Sequence, residues 1–110
     1  MRRFSESGAD RVEVALEPIR VQAQRQGWPV LLVYLTIVEE DRLHTIAARA
    51  FRIASRRLGF AYLDTSSLFA DTDPLEQVIF RYDWHPNAAS HSLYAQGILA
   101  ALEENELLAP

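Results

Sequence analysis

The chain has 110 residues, 49% of them apolar, and carries 15 acidic against 11 basic residues for a net charge of −4. That length holds one domain at most. The absence of cysteine excludes disulfides and thiolate metal sites and argues against redox chemistry, while the acidic balance argues against nucleic acid, whose phosphates call for a concentrated basic face.

Residues 1–9 are polar and without periodicity. The basic start, Met1-Arg2-Arg3, runs into Phe4-Ser5-Glu6 rather than an apolar stretch, so it does not read as a signal peptide. From Asp10 to Gln26 the apolar positions Val12, Leu16, Ile19 and Ala23 are spaced for one helical face, with Asp10 expected as N-cap and Gly27 as the left-handed residue after the C-cap. Val30 to Leu35 is apolar on both faces and rich in branched residues, the pattern of a central parallel strand covered on both sides. The longest apolar run, Trp28 to Val38, is interrupted by Thr36 and is too short to span a bilayer. A cytoplasmic chain with no membrane partner is the default expectation.

A second helix is expected from Glu40 to Leu58, with Leu43, Ile46, Ala47, Ala50, Phe51, Ala54 and Leu58 as its buried stripe and Gly59 ending it. Glu39-Glu40-Asp41 suits a helix N-terminus; its place after a strand also suits substrate contact. His44 reads as a surface residue. Arg49, Arg52, Arg56 and Arg57 share the polar face, as a solvated helix surface does. Phe60 to Leu63 reads as a second strand with Asp64 just past its end. Short helical pieces are expected at Ser66 to Ala70 and Pro74 to Ile79. The Asp83-Trp84-His85-Pro86-Asn87 stretch is expected as a loop. A last helix should start near Ala88, with Asn87 as N-cap, and reach about Glu104.

Two strands alternating with helices imply a parallel sheet with crossover connections. Two strands are also too few, because both edges stay open. The expected architecture is therefore the C-terminal part of a larger three-layer α/β/α domain, with two parallel strands and three main helices.

Asp83 and His85 are the pair that carries chemistry. A serine hydroxyl needs a base to take its proton, and imidazole suits that task near neutral pH. A carboxylate that holds the imidazole tautomer makes the base effective. In an extended segment alternate side chains point to the same side, so Asp83 at i could meet His85 at i+2 through Nδ1. Pro86 favours extended angles at His85, and Asn87 ties the segment to a helix. Spacing alone is a weak signal, because an isolated Asp-x-His is more often a surface or capping pair than half of a triad.

The string Asp83-Trp84-His85-Pro86-Asn87-Ala88-Ala89-Ser90-His91 resembles the C-terminal block of the SGNH (GDSL-like) hydrolase family. The upstream order, a helix, Gly27-Trp28-Pro29-Val30-Leu31-Leu32-Val33, a helix, then Gly59-Phe60-Ala61-Tyr62-Leu63-Asp64, looks like that family's last two β/α units. The resemblance covers residues 10–103. It implies a flavodoxin-like α/β/α fold and ester hydrolysis or acyl transfer, with an acyl ester as substrate. It implies His85 as general base and Asp83 as its orienting carboxylate. Trp84 would wall the substrate site or pack the segment, and Pro86, Asn87 and His91 would support it.

The chain departs from the family pattern. It has no Gly-Asp-Ser block and none of the Gly and Asn blocks of an oxyanion hole. It has one residue between Asp83 and His85 where many members have two, and Ser90 stands where Gly is common. Ser66, Ser67, Ser90 and Ser92 sit in no nucleophile elbow and read as capping or helix-surface residues. As metal ligands Asp83, His85 and His91 lack an evident further partner, so no metal or cofactor is expected. The implied unit is half of an esterase, inactive alone. The alternative is a non-catalytic α/β module that associates, with a second copy or a complementing chain, through its open sheet edge.

Overall fold

The computed structural model describes residues 2–35, 42–69, 78–80 and 83–108, with side chains at 6–35, 45–69 and 86–108. Its elements are α1 (Arg2–Gln26), β1 (Leu31–Tyr34), α2 (Arg42–Leu58), β2 (Ala61–Asp64), a 3-10 turn (Thr65–Phe69), β3 (Val78–Phe80), β4 (Asp83–Pro86) and α3 (Ala88–Glu104). β1 and β2 form a two-stranded parallel sheet joined through α2, and β3 and β4 form a separate antiparallel pair. Among the described residues the architecture is thus α/β, with three main helices. Its contacts divide it into two compact units, Met1–Leu32 with Glu40–Tyr62 and Val33–Glu39 with Leu63–Pro110.

The first unit is built on small residues. Ala9, Ala23, Ala50 and Ala54 are buried along α1 and α2. A Cβ placed on Gly8 would lie 3.1 Å from the Ala50 Cβ, so glycine and alanine here let the two helix backbones come close. This packing explains why α1 begins at Arg2 and not at Asp10. The close approach of Gly8 to Ala50 and the burial of Ala9 stabilise turns whose own propensity is poor, as tertiary packing commonly does. Asp10 is therefore a mid-helix residue and not an N-cap. Its carboxylate accepts a hydrogen bond from Arg57 Nη1 at 2.8 Å, a surface pair worth a fraction of a kcal/mol, about 0.2–1.

Pro18 lies inside α1 and has no N–H to donate to the Val14 carbonyl. The next turn is tied together by side chains: Arg20 Nε donates to both Glu17 carboxylate oxygens, at 3.0 and 2.9 Å, and Arg20 Nη1 donates to Gln24 Oε1 at 3.0 Å. The hydrogen bond from Arg20 holds the Glu17 carboxyl below its ordinary range, and the same contact raises Arg20.

Among the described side chains of α2 the buried ones are Ala48, Ala50, Ala54, Ser55 and Leu58, so Ala48 and Ser55 join the expected stripe while Ile46, Ala47 and Phe51 are only half-buried. Ser55 is fully enclosed, and its Oγ is satisfied by donating to the Phe51 carbonyl at 2.8 Å. The Tyr62 hydroxyl donates to the Ala48 carbonyl at 3.1 Å. β1, expected as a buried interior strand, is half-buried at all four positions, and Leu35 beyond it is 61% exposed. Among the described residues β2 is its one strand neighbour. Asp64, expected just past β2, is its last residue.

In the second unit Asp64 starts the 3-10 turn: its Oδ1 accepts from Ser66 N at 2.9 Å and its carbonyl accepts from Ser67 Oγ at 3.1 Å. Thr65 is fully buried, its hydroxyl donating to the Tyr34 carbonyl at 3.0 Å. On α3 the buried residues Ser90, Tyr94, Gly97 and Ala101 fall on one face by helical spacing. Phe69 meets Tyr94 edge-on with centroids 5.5 Å apart, and Leu68 and Leu93 pack around them. Gly97 takes Leu68: a Cβ there would lie 2.6 Å from Leu68 Cδ1.

Two expectations are corrected in this unit. Val78–Phe80 is a strand and not the end of a helix, and Asp83–Pro86 is a strand and not a loop. Branched and aromatic side chains favour the first, and the extended angles that Pro86 imposes on His85 favour the second. Pairing between the two then supplies the backbone hydrogen bonds that a loop would have left to solvent. Thr36, Val38, the acidic Glu39-Glu40-Asp41 cluster, Ala70, Pro74, Arg81 and Tyr82 lie outside the described residues, as do the side chains of Leu43 and His44.

All three helices end in the same way. After α1, Trp28 N donates to the Ala23 carbonyl at 2.8 Å and Gly27 N to the Gln24 carbonyl at 3.4 Å; after α2, Phe60 N donates to Ser55 O at 2.8 Å and Gly59 N to Arg56 O at 3.2 Å. After α3, Leu107 N donates to Leu102 O at 2.8 Å and Glu106 N to Glu103 O at 3.1 Å. This is the Schellman pattern, which needs a left-handed residue. Gly27 and Gly59 supply it at φ 70° and 76°, but at the third site Glu106 holds φ 56°, at a cost of about 1–2 kcal/mol for a residue with a Cβ. Glu106→Gly is therefore expected to stabilise the protein by about 1 kcal/mol, and Gly59→Ala to destabilise it by a similar amount. Urea denaturation of the two variants should move the midpoint in opposite directions.

Candidate functional site

The candidate site lies in the second unit, where β4 passes into α3. Asn87 is the joint. Its backbone is extended (φ −88°, ψ −179°), its Oδ1 accepts from Ser90 N at 2.9 Å, and its carbonyl accepts from His91 N at 3.0 Å. One residue thus ends a strand and starts a helix. The side-chain amide satisfies an N–H that the first turn would otherwise leave unpaired. Pro86, half-buried, is the last strand residue, where the N–H it lacks is least missed.

The helix start is held from below. Ser90 is 1% exposed. His91 is exposed, and its ring meets Tyr94 edge-on with centroids 5.9 Å apart. Tyr94 in turn packs on Phe69, and burial pushes its phenol above the ordinary value. His91 therefore sits on the surface of a buried aromatic pair. Tyr94 belongs to no motif in the sequence. The signal for it was present: Ser90, Tyr94, Gly97 and Ala101 recur at the period of one helix face.

Asp83, Trp84 and His85 belong to β4, but their side chains lie outside the described residues. The backbone register bears on their relation. Val78 stands opposite Pro86 and Phe80 opposite Asp83. Two steps along β3 therefore answer three along β4, which leaves Trp84 and His85 together opposite Ile79. An extra residue of this kind is a β-bulge, a device that re-aims side chains and is frequent beside active sites. It breaks the strict alternation from which a shared side for Asp83 and His85 was inferred. Regular strand geometry therefore does not place Asp83 and His85 on a shared side.

The first unit contains an apolar groove that no sequence motif marks. It has a volume of about 280 Å³ and is lined by Pro18, Ile19, Gln22, Ala23, Trp28, Pro29 and Val30. Trp28 is 60% exposed and Ile19 48%. No described helix is long and apolar enough to cross a membrane.

Comparison of the chain with protein-family models, with curated proteins and with solved structures finds no match.

Two outcomes are expected for this segment. Asn87→Ala should cost about 1 kcal/mol, within a range of roughly 0.5–2, while Asn87→Asp should keep most of the stability; urea midpoints of the two variants test the cap. The raised phenol of Tyr94 gives a second test. A group whose folded pKa lies above its unfolded value contributes stability that is complete below the unfolded value, about 10 for tyrosine, and is lost as pH rises further. Stability should therefore fall less steeply above that pH in Tyr94→Phe than in the wild type. Equal slopes would show that Tyr94 ionises as freely in the folded chain as in the unfolded one.

Proposed function

We propose that the chain is the C-terminal portion of an SGNH-type ester hydrolase with a flavodoxin-like fold, in which Asp83 and His85 form the base side of a Ser-His-Asp triad. The observation that carries this reading is the Asp83-Trp84-His85-Pro86-Asn87 string running straight into an N-capped helix, after a parallel β/α/β unit. The half-buried state of β1 is what an interior strand would show when the strands beyond it belong to another segment.

In this reading the serine is supplied by a preceding segment. His85 takes the proton of that hydroxyl through Nε2 as the oxygen attacks the ester carbonyl. Asp83 accepts a hydrogen bond from Nδ1–H and stabilises the imidazolium. The proton then passes to the leaving alcohol, and water attacks the acyl-enzyme by the same route. Oxyanion donors, worth a few kcal/mol of barrier each, about 2.7–4, also come from the preceding segment. The substrate class is an acyl ester. Acyl length and the choice between hydrolysis and transfer belong to loops of that segment.

The chain by itself is expected neither to react covalently with a fluorophosphonate probe nor to hydrolyse a p-nitrophenyl ester. Labelling of one of its own serines, with turnover lost in His85→Ala, would show that the nucleophile is already present. Extended with the upstream coding sequence, the chain should gain turnover that His85→Ala lowers by several orders of magnitude. Unchanged turnover in that variant would remove His85 from the role of base.

A second reading has its own observation. β1 is half-buried where its sequence suits full burial, Leu35 beyond it is 61% open to solvent, and an open apolar edge favours association. In that reading the chain is a non-catalytic module that pairs through its sheet edge with a second copy or a complementing chain. Sedimentation velocity over a hundredfold range of concentration separates the two: self-association supports the module, and a monomer at every concentration counts against its homo-oligomeric form.

A further inference from the structure

We draw no further inference here: the strongest candidate, the apolar groove of the first unit between Pro18 and Ile19 of α1 and the Trp28 to Val30 approach to β1, carries nothing because no feature of the structure shows what covers it.

Discussion

The hydrogen bond from Ser90 N to Asn87 Oδ1 is the constraint on which the candidate site depends. It fixes where the extended backbone of β4 stops and the helical backbone of α3 starts. α3 is itself held by Tyr94 against Phe69 and by Gly97 against Leu68, and the cap joins that packed helix to the Pro86 end of β4. The same cap leaves the His91 ring above Tyr94, so the helix start is a settled surface and not a frayed end.

Much of the chain could be read from sequence where local chemistry decides the outcome. Gly27 and Gly59 were visible as helix stops because a left-handed residue is needed there, and Asn87 was visible as a cap because its side chain can serve the first turn. The β1–α2–β2 order followed from the change between extended and helical periodicity. Distant contacts hid the rest. Asp10 looked like a cap, but Gly8 and Ala9 pack against α2 and carry the helix eight residues further back, to Arg2. The hairpin of β3 and β4 was missed because each strand is short and its backbone is satisfied only by the other. Glu106 gave no sign of its left-handed backbone, since glutamate is the wrong residue for it.

The site was legible as a motif more than as a geometry. Pro86 pointed correctly to extended backbone at His85, and β4 is extended there. What the sequence could not carry is the bulge that sets Trp84 and His85 together against Ile79. An i, i+2 rule assumes an unbroken strand, and this strand is broken at the residues that matter. The proposed role of Asp83 therefore depends on whether the bulge brings its carboxylate to the His85 imidazole or turns it away.

That question has a direct answer in solution. An NMR titration of the His85 imidazole, in the wild type and in Asp83→Asn, reads the pairing without requiring the nucleophile. A carboxylate within contact range favours the imidazolium, so the account predicts that the His85 titration midpoint falls when Asp83 is replaced. The same midpoint in both proteins would contradict it.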